Sequence, residues 1–190
     1  MYAQCDNIQR CQWVGSDGLM VQYHDNEWGV PTHDETLLFE LLTLEGAQAG
    51  LSWSTILKKR ENYKIAFDNF DIGKIASYSS DKVENLLSHS SGIVKNRLKI
   101  ASVISNAQAF IKIEHRYGSF DNYLWSFTDG KIIKNHWRSH LDIPQESKES
   151  RKLSKELKKN GFKFVGPTIC YSFMQAAGLV NDHTVDCFKY

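Results

Sequence analysis

Between Leu41 and Leu57 the chain reads LLTLEGAQAGLSWSTIL, and Glu45 is the one ionisable side chain in that run. Apolar and small residues surround the carboxylate, and Trp53 follows two helical turns later. Burying even a neutral polar group without a partner costs roughly 2–7 kcal/mol, and an unpaired charge costs more. Most glutamates face solvent, but this run offers no polar face for Glu45 to share. The pattern marks Glu45 as a group that a ligand or a fixed donor completes. Trp13, Tyr23, Trp28 and Trp53 gather near it in sequence. Their rings can stack on a planar base and attract a cation by about 0.5–2 kcal/mol per contact, although such rings commonly serve as core.

Two further groupings could carry chemistry. Cys11 and His24 lie near one end of the chain, His183 and Cys187 near the other. On a helical tail the i, i+4 spacing of His183 and Cys187 would present both to one metal. Two sulfurs and two imidazoles make a closed tetrahedral zinc site, structural rather than catalytic. Unrelated buried cysteines and surface histidines give the same spacing, and nothing in it shows that the two pairs meet. The segment Ser90 to Arg97 forms the other grouping, a Gly92-centred corner leading into a long helix. Free N–H groups at a helix start favour anions, and Lys95 and Arg97 add charge suited to a nucleic-acid phosphate. A plain structural corner fits the same residues.

The elements that must position these groups read as helices. Asp34 caps a helix carrying Leu37, Leu38, Leu41 and Leu42 that ends near Gly46 or Gly50, and Ser52 starts the next. Asp71 begins a short segment with Ile75, and Asp81 with Glu84 reads as a capping box. A long helix runs from about Val94 to Arg116, with Leu98, Ala101, Ile104, Ala109 and Ile113 inward. Asp121 to Phe127 reads as a short helix and Gly130 to Glu149 as an irregular connection. Lys152 to Lys159 is amphipathic, and Thr168 to Ala177 is a last helix after Pro167, closed by Gly178. No alternation lasts long enough to build a sheet, so the fold expected is all-α.

The 190 residues suit a single unit with a real core, and a net charge of +1 excludes a strongly basic protein. The N-terminus is polar from Gln4 to Arg10, without a signal-peptide pattern. No apolar run approaches the ~20 residues of a membrane span. The four cysteines, Cys5, Cys11, Cys170 and Cys187, are widely spread, which favours free thiols or metal ligands over disulfides. A cytoplasmic protein is expected, with no membrane partner.

The runs Cys11-Gln12-Trp13, Tyr23 to Gly29 (YHDNEWG), Leu44 to Trp53 (LEGAQAGLSW), Lys58 to Glu61 (KKRE), Gly161 to Gly166 (GFKFVG), Cys170 to Ala176 (CYSFMQA) and Asn181-Asp182-His183 occur in order. Together they resemble the bacterial 3-methyladenine DNA glycosylase I family, and the resemblance extends from Cys11 to Cys187. It implies an all-α helix–hairpin–helix fold with the hairpin at Gly92 and its flanks Ile93 and Lys95, which would contact DNA. It implies one structural Zn2+ per chain on Cys11, His24, His183 and Cys187, tying residues 1–33 to 167–190, with 34–128 holding the hairpin region in one catalytic unit over 1–190. Cys5 and Cys170 are not ligands in this reading.

The implied activity is hydrolysis of the N-glycosidic bond of 3-methyladenine in alkylated double-stranded DNA, with the free base as product. The nucleotide is flipped from the duplex at a cost of a few kcal/mol. Glu45 matches the acid that recognises the base, Tyr23 and Trp53 the aromatic walls, with Trp13 beside them. Gly50 and Leu51 match the positions that fill the gap in the stack. No aspartate occurs between Gly92 and Phe120, which agrees with a cationic substrate that leaves readily. Met20 stands where the family carries a tyrosine against the base, and about ten residues precede Cys11. A monomeric, monofunctional glycosylase is the leading expectation. A non-catalytic, zinc-containing binder of damaged DNA is the alternative, and a zinc-stapled interaction protein without a DNA role is the third reading.

Overall fold

The computed structural model describes residues 8–89 and 92–190. Ten α-helices account for most of them: α1 (Gly18–Asn26), α2 (Glu35–Gln48), α3 (Trp53–Leu57), α4 (Arg60–Ala66), α5 (Ile72–Ala76), α6 (Ser80–His89), α7 (Arg97–Tyr117), α8 (Phe120–Trp125), α9 (Lys148–Lys159) and α10 (Pro167–Ala176). A two-residue parallel pair joins β1 (Ile133–Lys134) to β2 (Val180–Asn181), Ile133 opposite Val180. Among the described residues no helix is long and apolar enough to cross a membrane.

Helix α2 is the central element because it is apolar nearly all round, which suits a helix enclosed by others. Leu38, Phe39, Leu41, Leu42 and Leu44 are all buried, against α3, α7, α8 and α10. Its start is fixed by Asp34, whose Oδ1 accepts from Leu37 N at 2.7 Å. Its end is held from outside: Lys99 Nζ donates to Ala47 O (2.8 Å) and Ala49 O (2.7 Å), satisfying carbonyls that the helix leaves open. With that support the helix passes straight through Gly46 to Gln48 before Gly50 turns the chain. One charge inside this apolar helix is accounted for by pairing. Glu40 accepts from Arg60 Nε at 2.5 Å, and Arg60 also donates to Glu27 at 2.6 Å, linking α4 to the end of α1 and the middle of α2.

Several boundaries differ from the sequence expectation. Ser79, not Asp81, sits before α6, its Oγ accepting from Lys82 N at 3.4 Å. The long helix begins at Arg97, after Asn96 caps it, and its buried stripe is Ile100, Val103, Ala107, Phe110 and Ile113. Leu98 is 70% exposed and Ala101 faces solvent; which face α7 buries is set by the helices packed against it, chiefly α5, α6 and α8, which a helix read alone does not reveal. The 130–149 connection is not wholly irregular: it contributes β1, a 3₁₀ turn at His140–Asp142 and the first residues of α9. The tail after β2 is a series of turns rather than a helix, with Cys187 N donating to Thr184 O at 2.8 Å.

Gly178 closes α10 where two segments nearly touch. Its φ is +75°, and a Cβ there would lie 2.3 Å from Pro31 N and 2.4 Å from Val30 C, backbone atoms that cannot move aside cheaply. Replacing Gly178 by alanine should therefore destabilise the protein by on the order of 2–3 kcal/mol. Urea unfolding checks this, and an unchanged midpoint would show that the 30–31 segment yields.

Candidate active site and metal centre

A cavity of ≈ 300 Å³ opens where α1, α2 and α10 converge. Its wall is aromatic on one side, with Trp13, Tyr23, Trp28 and Trp53, and polar on the other, with Glu45 and Gln48 of α2 and Ser172 and Gln175 of α10. His140, Ile143, Pro144 and Gln145, from the connection before α9, close a further side. Tyr23 and Trp53 stand with ring centroids 5.1 Å apart, Trp13 and Trp28 at 4.9 Å. A second recess of ≈ 190 Å³ shares Glu45, Gln48 and Ser172 with the first and leads out past Gly50 and Leu51. Leu51 is 41% exposed at that mouth.

Glu45 is only 4% exposed, yet its carboxylate accepts no hydrogen bond from the described residues. It is not sealed in protein either. Among the described residues the unpartnered polar atoms cut off from solvent belong to Glu35, Thr43, Trp53 and His140, so the Glu45 oxygens open into the cavity. Burial among apolar groups pushes its carboxyl up to about 8. Tyr23 is held well above the usual phenol range, first by burial and then by the nearby Glu45 and Glu27 charges. The cavity thus presents one undercommitted acid beside four ring faces, an environment that favours a flat cation able to donate hydrogen bonds.

A different carboxylate organises the far wall. Asp182 is fully buried and accepts from Asn135 Nδ2 (2.7 Å), Trp137 Nε1 (2.7 Å), Tyr171 OH (2.7 Å) and Gln175 Nε2 (2.6 Å). These bonds join α10, the start of the 135–145 connection and the segment carrying His183.

Cys11, His24, His183 and Cys187 are all buried, and their ligand atoms lie within 4.8 Å of one another. Cys11 Sγ is 3.6 Å from His183 Nδ1, and Cys187 Sγ is 3.4 Å from His24 Nε2 and 3.5 Å from His183 Nδ1. A tetrahedral ion with ordinary sulfur and nitrogen bond lengths sets that edge at about 3.6 Å. The outer contacts suit ligands as well. His24 Nδ1 lies 2.7 Å from Asp25, which Arg10 holds, and His183 Nε2 lies 3.1 Å from Trp28 O. Cys11 Sγ accepts from Thr184 N and Oγ1, Cys187 Sγ from Lys189 N. Burial lowers His183 to about 4, keeping it neutral, the form that binds a metal. The group could hold a metal ion.

The Methyladenine glycosylase family matches residues 13–190 of this chain. The chain belongs to that family. It is 50% identical over 183 residues (96% of this chain, 97% of the relative) to DNA-3-methyladenine glycosylase 1 of Escherichia coli strain K12. The solved structure of a 3-methyladenine DNA glycosylase I is similar with a TM-score of 0.92 at 53% identity, covering 95% of this chain and 98% of that one. Another, describing the structural basis of 3-methyladenine recognition by the Staphylococcus aureus glycosylase, gives 0.91 at 40% identity, covering 95% of both chains.

Within this family member, Glu45, Tyr23, Trp53 and Trp13 meet at one cavity and the four Cys and His residues meet at another point. Cys170 is buried away from the metal group against Val165 O, and Cys5 lies outside the described residues. Met20 does not line the cavity; it packs with Cys11, Val14, Tyr23, Trp28 and Leu57. The hairpin is covered only in part, since Ser90 and Ser91 lie outside the described residues. Gly92 has φ +91° with Asn62 against its α-carbon, Lys59 Nζ donates to its carbonyl at 2.9 Å, and Lys95 is exposed. Ile93 is 4% exposed and belongs to the core. Arg97 is engaged with Glu84 on both guanidinium nitrogens. Sequence reasoning missed Gln48, Ser172, Gln175 and the 140–145 wall. The polar pair Ser172 and Gln175, three residues apart on an otherwise apolar α10, was a visible signal; the connection carried none.

The raised Glu45 acid has a thermodynamic consequence. Its unfolded value is 4.5 and its folded value about 8, so the folded state binds the proton more tightly. The associated stability is fully present below the unfolded value and is lost as pH rises through the folded one. Glu45→Gln lacks this loss, so its melting temperature should gain on the wild type between about pH 5 and about pH 8.5. Melts that stay parallel across that range would mean the carboxylate is solvated.

Proposed function

We infer that this protein is a DNA glycosylase that excises 3-methyladenine from alkylated double-stranded DNA, releasing the free base. The observation that carries the mechanism is the Glu45 carboxylate, buried, without a protein donor and open to an aromatic cavity. It sits in a chain whose full-length relatives carry that activity in their names.

Methylation at N3 makes the adenine of a nucleotide cationic, so the base departs without strong protonation. A bound cation would draw the Glu45 proton off and pair with the carboxylate, which accepts from the exocyclic amine. Tyr23, Trp53 and Trp13 sandwich the base and favour its charge. Leu51, exposed where the recess reaches the surface, fills the gap left by the flipped nucleotide, and Gly50 lets the chain approach. The hairpin at Gly92 to Lys95 positions the duplex through backbone N–H groups and charge. The described cavity wall contains no lysine, and a Schiff-base lyase needs one; the enzyme is therefore monofunctional. Met20 lies off the wall, which removes the feature that leaned toward a non-catalytic binder.

The metal group supports one structural Zn2+, closed by four protein ligands and tying the segment before Pro31 to the one after Pro167. Bound zinc supplies cross-linking and leaves the glycosidic bond to the cavity residues. Cys187→Ser should lower metal content below one equivalent and reduce thermal stability. Full metal occupancy in the variant would overturn the ligand assignment.

The decisive experiment incubates the protein with methylated duplex DNA and separates the released bases by chromatography. Release of 3-methyladenine with little 7-methylguanine is expected, and Glu45→Gln should cut it on the order of a hundredfold, the scale of one lost preorganised contact. Unchanged release in the variant would remove Glu45 from the mechanism.

A further inference from the structure

Glu45 alone is a poor judge of what a base carries at its sixth position. A carboxyl raised to about 8 by burial can accept from an amine when ionised or donate to a carbonyl when protonated. Selection between a 6-amino and a 6-oxo purine needs a group whose polarity cannot change. α10 supplies one.

Gln175 borders the same cavity as Glu45. Its backbone is pinned, since its carbonyl accepts from Gly29 N at 3.0 Å. Its side chain is pinned too: Nε2 donates to Asp182 Oδ2 at 2.6 Å. The direction of that bond follows from chemistry. Asp182 also accepts from Asn135, Trp137 and Tyr171, and an ionised carboxylate can only accept. Turning the amide over would set its oxygen against the carboxylate, so Nε2 stays on Asp182 and Oε1 stays on the other side. Oε1 receives no hydrogen bond from the described residues and is not among the polar atoms cut off from solvent. It is therefore an acceptor open to solvent, on a residue that borders the cavity.

We propose that Gln175 Oε1 is the second acceptor for the exocyclic amine of the bound base, and that Asp182 is the positioning residue that locks Gln175 in that polarity. The proposal rests on the glycosylase reading above. A planar amine carries two N–H groups, and one carboxylate oxygen satisfies one of them. The second, once the bound base fills the cavity, needs its own partner. A 6-oxo purine turns a carbonyl oxygen toward the Gln175 oxygen. Glu45 can adapt to it by protonation, but Gln175 cannot, because Asp182 has no hydrogen to give. Sites built in this way reject the wrong group by leaving buried polar atoms unpaired.

The test compares binding of two free bases of nearly equal size, 3-methyladenine and 3-methylhypoxanthine, followed by quenching of the cavity tryptophans. Wild-type protein should prefer the amine. Gln175→Leu should weaken 3-methyladenine by about ten- to a hundredfold, the range for leaving a buried N–H donor without a partner, and leave 3-methylhypoxanthine nearly unchanged. Gln175→Met serves in its place should leucine disturb α10. Asp182→Asn, which lets the amide turn over, should narrow the preference while retaining binding; the Gln175 variants decide alone if that protein does not fold. Equal weakening of both bases, or an unchanged preference, would overturn the proposal. Release of 3-methyladenine from methylated DNA by wild type is measured alongside. Its absence would instead overturn the glycosylase reading, and this proposal with it.

Discussion

A buried carboxyl left without a protein donor is the constraint around which this protein is arranged. Glu45 lies on a helix buried along most of its length and borders a cavity walled by rings on one side and by Gln48, Ser172 and Gln175 on the other. Desolvation penalises its ionised form, so the free protein holds the proton until the pH approaches about 8. The rest of the molecule has to supply the stability and rigidity that keep the group there. Helices α3, α7, α8 and α10 do so by packing around α2, which Asp34 caps at one end and Lys99 holds at the other. A cationic base offers the pairing that the protein withholds, so the energy of binding is directed at charge and at a hydrogen-bond donor.

The contrast with Asp182 shows how environment assigns roles to one functional group. Both carboxylates are buried. Asp182 has four donors within 2.6–2.7 Å and no capacity left for a ligand, so it acts as a fastening between α10, the 135–145 connection and the tail. Glu45 has none and is available. A carboxylate saturated by fixed donors gives structure, whereas one left short gives recognition. Arg60 performs a related fastening on the opposite side, bridging Glu27 and Glu40 so that a charge inside α2 does not compete with Glu45.

The metal group belongs to the same construction. Trp28 O meets His183, Gly29 N meets the carbonyl of Gln175, and Tyr23 precedes His24 directly. The cavity walls contributed by α1 and by the chain after Pro167 are thus joined by contacts that run beside the Cys11, His24, His183 and Cys187 group.

How much of this was legible in the chain depended on whether the signal was local. Helices with their own caps and apolar faces, such as the one Asp34 begins, follow from neighbouring residues, and so does the anomaly of one acid in an apolar run. The motif runs carried the family, and with it the expectation that distant cysteines and histidines meet. Contacts made across long separations were decided by the tertiary structure. The rotation of α7 that exposes Leu98 and buries Ile100 depends on where α5, α6 and α8 lie. The approach of His183 to Cys187 comes from turns, not from a helical spacing. The 140–145 wall has no pattern of its own and reaches the cavity because Asp182 anchors Asn135 and Trp137. The physical reason is common to these cases. Periodicity and capping are set by interactions over a few residues, whereas desolvation and the polarity of a shared hydrogen bond exist only once remote segments are packed together.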